Sequence, residues 1–399
     1  MSIWISIPVF LAVLLPGLMI RPKGSHFFLA GRQANTGAVS GSLVATCMGA
    51  SATLGIVSLA FQRGWVAFWW LGAGSAGLVL LGLFWAKPMR AEPCTQTLPQ
   101  WAGHAYGLPA RILAGILITM MWVGVIAAQW VAAGAVSTAL FGWHAAAGIV
   151  VCGSAVSLYT MWGGQQSVLR TDLWQVAVLG LAVVLPFVFL GDLPGYRGIP
   201  MPGASGPVFP VDFTVWQWLS LMIVVGGMYV VGPDLCSRVL LARDDKTARR
   251  GALLAGAGLL PCSIALVAVG VVLRAADAPV GAPSNALPWL LAESGILPAW
   301  SAFVVNVGLL AAMLSSADTC LLTAASVFEL DLLGRRHTEE KQELLGRVFV
   351  CILGSCSIVL ALVRPAIIGN LLLAYAFYAG GLLLPLLLIA WPRAQEAVP

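Results

Sequence analysis

The stretch LLAAMLSSADTCLLTAASVFELDL, residues 309–332, reads as a membrane-buried helix that carries two adjacent hydroxyls and a carboxylate. At helical spacing Gly308, Ala312, Ser315, Thr319, Thr323 and Ser326 follow steps of three and four. They form one stripe of small and hydroxylated residues, with Ser316 and Asp318 flanking it. Close helix packing in a membrane accounts for Gly308, Ala312, Thr323 and Ser326. It does not account for Asp318. An Asp in the membrane interior costs at least ~2.5–3.5 kcal/mol and usually marks an ion path or a functional partner. A second acid, Asp172 in SVLRTDLWQ (167–175), stands at the cytoplasmic start of another predicted span. Capping is the plain alternative for it, because an Asp in a first turn complements the helix dipole.

Hard cations are bound by oxygen. A hydroxyl pair with carbonyls from a broken helix offers neutral oxygens, which bind Na+ weakly enough to release it. A nearby carboxylate holds a cation more tightly or carries a proton. This chemistry makes Ser315 and Ser316 the inner ligands, and Asp172 and Asp318 their electrostatic neighbours.

The rest of the chain supports a membrane reading. Of 399 residues 60% are hydrophobic and 9% charged, with mean hydropathy +0.93; soluble domains carry about a quarter charged residues. The first twenty residues lack a basic start and are long enough to span, so they read as a first helix rather than a signal peptide. Eleven spans are predicted, near 2–20, 36–61, 65–86, 110–140, 144–161, 171–191, 215–233, 251–273, 299–330, 347–363 and 367–391. Alternate connections then hold 17 and 4 of the 21 Lys and Arg, which predicts an outside amino terminus and a cytoplasmic carboxyl terminus in a plasma (inner) membrane. The net charge of +5 is thus topological, and no nucleic-acid partner is expected. Eight singly spaced cysteines and four isolated histidines support neither a disulfide framework nor a transition-metal site. RDDK (243–246) lacks the repeated aspartates of metal-diphosphate chemistry, so no enzyme and no organic cofactor are expected.

After residues 1–35, ten spans divide into two sets of five, 36–192 and 215–392, joined by an external loop at 193–214 and followed by a tail at 393–399. Two consecutive odd-numbered sets have opposite orientations, as inverted repeats require. The first helix of each set is expected to be broken, at CMGASATLG (47–55) and VVGGMYVVGPD (224–234). The loop 191–212 is rich in Pro and Gly, and NALPWLLAE (285–293) is expected to form a short surface helix.

Four motifs carry a family resemblance over nearly the whole length: FFLAGR (27–32), YTMWGGQQSVLRTDLWQ (159–175), GPDLCSRVLLARDD (232–245) and AAMLSSADTCLLTAASVFELDL (311–332). Together they resemble the solute:sodium symporter family. That resemblance implies an all-α integral membrane protein with a LeuT-type fold of five plus five inverted helices, and an extra helix in front. It also implies a Na+ site formed by the hydroxyls of Ser315 and Ser316 and the carbonyls of Ala45, Met48 and Ala312. Asp172 corresponds to the family's acid on the fifth core helix. Asp318 and Thr319, with Asp172, stand where some members hold a second cation. Cys47 replaces the Asp of proline-transporting members, and Ala52 and Phe377 replace polar groups of sugar-transporting ones.

Solute contacts are expected near mid-membrane from Ser51, Thr53, Trp122, Gln129, Tyr229, Tyr375 and Tyr378. For the aromatics, packing is the alternative; a buried amide such as Gln129 needs partners. No Arg, Lys or His falls mid-span to pair with an anionic solute, which favours a small organic solute of modest polarity; a carboxylate is still open to capture by the broken-helix amides and Na+. The expected function is Na+-coupled symport by alternating access. Proton-coupled or Na+-independent transport on the same fold, and solute sensing without transport, are the alternatives.

Overall fold

The computed structural model describes residues 26–91, 96–200, 213–282, 285–333, 338–365, 370–371, 374–375 and 378–395. The predicted first span (2–20), most of the loop at 191–212, Cys94 and Phe377 lie outside the described residues. Within them the chain is helix and loop, joined by one parallel bridge between Ala34 and Ala242. There the Ala34 amide donates to the Leu241 carbonyl (3.0 Å), and the Arg243 amide donates to that of Ala34 (3.1 Å). The bridge ties the segment before the first interrupted helix to the loop after the second.

Seven helical runs among the described residues are long and apolar enough to cross a membrane. Two of them contain a glycine at positive φ that turns the chain, Gly64 (φ 67°) and Gly164 (φ 53°). Gly164 also has ψ −154°, a region that only glycine adopts without strain. An added Cβ there would lie 2.7 Å from Phe27. The sequence predicted two spans separated by a loop at 162–170, whereas helix runs through Ala145–Phe189 and breaks only at Gly164. Asp172 therefore lies inside a helix, not at its start.

Both expected interruptions are observed. Thr36–Cys47 is capped by Asn35, whose side chain accepts from the Ala38 amide at 2.9 Å. It ends where Met48 leaves helical geometry (φ −93°, ψ 42°). The chain restarts as a wide turn at Ser51–Gly55 and continues as Ile56–Arg63. The second interruption is at Gly232, extended at φ −62° and ψ 130°, between Gly227–Val231 and Pro233–Leu240. Proline suits the first position of a helix because its missing N–H would be unpaired there. The expected short helix is also present, at Ala286–Ala292.

Ala299–Val327 is the central rod. It packs on Ala145–Phe189, Leu108–Phe141 and Thr36–Cys47, and every residue from Gly308 to Ala325 is buried. A helix buried on all sides has no polar face to give to water, so its polar groups must find partners in neighbouring helices. Asp245–Ala275 closes the opposite side against Phe68–Leu80, Thr36–Cys47 and Ile56–Arg63. Its cap is Asp244, outside the spans; the Thr247 amide, donating at 2.7 Å, holds that carboxyl below its ordinary value. Large apolar side chains such as Leu181, Val184 and Val188 stay exposed, which in a multi-pass membrane protein is the lipid-facing side.

Candidate functional site

The unwound link between Cys47 and Ser51 lies directly against the SSAD segment of the central rod. Ser316 Oγ donates to the Thr46 carbonyl at 3.0 Å. The Met48 amide closes the last turn onto the Val44 and Ala45 carbonyls at 3.1 and 3.3 Å. Ser316 thus meets the carbonyl of Thr46, which lies between Ala45 and Met48 in the same turn. Ala312 lies one helical turn before Ser316 and is buried. Ser315 faces another way: its hydroxyl donates to Asp172 Oδ1 at 2.5 Å.

Asp172 is the hub of a second group. Ser42 donates to its other oxygen, and the Arg238 guanidinium stands 3.4 Å from Oδ2. Three helices besides its own therefore grip this carboxylate, and capping alone does not describe it. Arg238 also donates to the Thr319 hydroxyl. Thr319 Oγ1 in turn lies 3.3 Å from Asp318 Oδ1 and 3.5 Å from Thr46 Oγ1. Tyr159 donates to the remaining oxygen of Asp318. Asp172, Asp318 and Arg238 have no exposed surface.

The assignment of Arg238 to a cytoplasmic loop fails: it is fully buried near the end of the run Val215–Leu240. The physical cause is the Gly232–Pro233 break, which starts a short helix early enough to carry Arg238 under the cluster rather than into the loop. Two buried carboxylates face one guanidinium, so with both ionised one negative charge has no counter-charge among the described residues.

Next to this cluster is a cavity of about 60 Å³. Of the predicted solute contacts, Ser51, Trp122, Gln129, Tyr229 and Tyr375 line it, and so does Asp234, to which the sequence assigned no role. Gln129 Oε1 accepts from the Ala50 amide at 2.9 Å, holding the unwound link open. Thr53 and Tyr378 are not among its lining residues. Thr53 donates to the Gly49 carbonyl at 2.9 Å, and Tyr378 to the Val231 carbonyl. Each braces one helix break instead. A larger apolar vestibule of about 440 Å³, bounded by Leu59, Arg63, Trp70 and Phe213, shares Ser51 and Leu371 with the cavity. On the other side of Pro233 the space lined by Thr97, Ser237 and Thr323 is only about 10 Å³.

Gly49 has no room for a side chain: a Cβ would lie 2.7 Å from Ser316 Oγ and 2.8 Å from Gln129 Nε2. Gly49→Val is expected to weaken alkali-cation binding by the purified, still monodisperse protein at least about tenfold, or ~1.4 kcal/mol. Unchanged affinity would show that the Ser316–Gln129 space is not used.

The hydroxyl, carbonyl and carboxylate oxygens gathered here suit an alkali cation. Sequence reasoning missed Arg238, Asp234, Ser42, Thr46 and Tyr159. Ser42 and Thr46 do share a helix face at i, i+4, which was a usable signal. Tyr159 stood in a quoted motif with no visible partner.

Comparison with known proteins follows the same lines. The profile of the Sodium:solute symporter family matches residues 27–200 and 207–397. The human high affinity choline transporter 1 is 25% identical over 324 residues, 74% of this chain and 54% of that protein. Sodium/glucose cotransporter 4 of Danio rerio is 23% identical over 383 residues, 84% and 57% of the two chains. The chain thus spans about half the length of the curated relatives it matches. A solved structure described as the substrate-bound outward-open state of a Na+-coupled sialic acid symporter superposes with TM-score 0.83, covering 96% of this chain and 85% of that one. At 17% identity it supports the shared fold alone.

Proposed function

Because the chain belongs to the sodium:solute symporter family, we propose that it carries a small organic solute together with Na+ by alternating access. The observation that carries this reading is the contact of Ser316 with the Thr46 carbonyl at the helix break, beside buried carboxylates that outnumber their base. The ion is held by the hydroxyls of Ser315 and Ser316 and the carbonyls of Ala45, Met48 and Ala312, with the Thr46 carbonyl within reach. Its charge offsets the uncompensated carboxylate. Na+ also ties the interrupted helix to the central rod, which stabilises the state open to the vestibule. Loss of the ion lets the two separate.

Residues 36–192 and 215–392 form the two inverted five-helix halves in this reading, with Met48–Ala50 and Gly232 as their equivalent breaks. The vestibule carries Arg63, which the charge count assigns to the outer side, and it far exceeds the space beyond Pro233. Both facts support an outward-facing arrangement with the carboxyl terminus in the cytoplasm. Each Na+ then contributes about 2.3 kcal/mol per 100 mV of membrane potential, beyond its concentration gradient.

One observation favours a second reading. Asp318 makes no ion pair with any described residue, and the hydroxyls of Tyr159 and Thr319 that donate to it are neutral, so a proton there would also remove the surplus charge. The discriminating experiment is uptake of a solute panel into proteoliposomes under an inward Na+ gradient, a proton gradient, or neither. Stimulation by Na+ alone is the expected result. Stimulation by the proton gradient alone would select the second reading, and indifference to both would refute coupling.

A further inference from the structure

The charge inventory around the cavity identifies what kind of solute it takes. Asp234 lines the cavity, at the first turn of Pro233–Leu240. Its carboxylate makes no ion pair with any described residue. Arg238, on the same helix, is committed elsewhere: it pairs with Asp172 and donates to Thr319. Among the described residues no Lys, Arg or His lines the cavity. Around the cavity and the cluster beside it, the described residues therefore place three carboxylates, Asp172, Asp234 and Asp318, against one guanidinium. A bound Na+ compensates one of the two surplus charges, and one remains, on the cavity wall.

The same wall bears Trp122, Tyr229 and Tyr375. Aromatic faces around a carboxylate, away from bulk water, attract a weakly hydrated organic cation far more than a neutral or anionic group. The Trp122 indole N–H is buried without a protein partner and is available to an acceptor on the same solute. The Arg63 side chain at the vestibule is exposed, so salt screens its repulsion of an entering cation. Resting on the symport reading above, we infer that the transported solute is a small organic cation, with its charge against Asp234 and among Trp122, Tyr229 and Tyr375.

The test uses the full chain, purified in detergent with saturating Na+. Binding is read as thermal stabilisation by choline and tetramethylammonium against 3,3-dimethylbutan-1-ol, the neutral isostere of choline, and 3,3-dimethylbutyrate, an anion of similar shape. At least one cation is expected to bind at least about tenfold more tightly than both the neutral and the anionic probe. Asp234→Asn should erase that preference, and Asp234→Glu should restore part of it. Stabilisation by Na+ alone should persist in both variants, which also shows that they fold. Equal response to neutral and charged probes, no response to either cation, or full discrimination in Asp234→Asn would overturn the inference. Absence of any Na+ effect in the unaltered protein would instead count against the symport reading.

Discussion

Replacing Arg238 by Gln is expected to destabilise the protein by about 3–5 kcal/mol, the usual cost of leaving one member of a buried ion pair alone. Arg238 is fully buried, and its guanidinium is the only positive group within 4 Å of either Asp172 or Asp318 among the described residues. Without it the cluster carries two carboxylates and no counter-charge. A marked fall in the midpoint of thermal unfolding in Na+-free buffer is the expected readout. Adding Asp172→Asn to the same chain should recover most of the loss, since the double variant no longer buries the orphaned charge. A single variant as stable as the parent would mean that Asp172 is not charged in the folded protein.

Asp318→Asn should act in the opposite direction. It removes the carboxylate that Arg238 does not compensate, while the Asn carbonyl can still accept from one of the two hydroxyls, Tyr159 or Thr319, and its amide can donate to the other. Stability without Na+ is expected to rise by about 1–3 kcal/mol, the order of the cost of an intramembrane Asp. The response to Na+ should shrink at the same time. A site bathed at a hundred times its Kd gains ~2.7 kcal/mol from the ligand, and most of that should vanish once the surplus charge is gone. Measured together, the two variants separate a charge-balance role from a packing role, because a packing defect would lower stability in both. An undiminished Na+ response in Asp318→Asn, with loss of pH sensitivity in transport, would move the coupling role to a proton.

Much of the architecture was legible because hydropathy and glycine placement are local signals. The breaks at 48–50 and 232 coincide with CMGASATLG and VVGGMYVVGPD, and the helix at Ala286–Ala292 falls within the predicted NALPWLLAE. The boundary between the fifth and sixth predicted spans is misplaced, because Arg170 reads as a loop residue in a charge-bounded hydropathy pattern. In the structure Gly164 makes the turn and Arg170 stays helical. The adjacent hydroxyls of Ser315 and Ser316 were visible from composition alone. Their divergence, one toward Asp172 and the other toward Thr46, was not, since adjacent residues on a helix point about 100° apart and their partners lie far away in sequence. Arg238 was missed for a related reason. Counting Lys and Arg by connection assigns every base to a loop, and only the surplus of buried acids pointed to a base within reach. Asp234 had the same ambiguity as any acid in a first turn until the cavity was seen beside it.

The most direct measurement is equilibrium binding of radioactive ²²Na+ to the purified full chain, comparing the parent with Ser315→Ala and Ser316→Ala. Saturable binding in the parent that weakens at least about tenfold in Ser316→Ala, with both variants folded, is the predicted result. Binding of equal affinity in all three proteins would place the ion elsewhere and contradict the account.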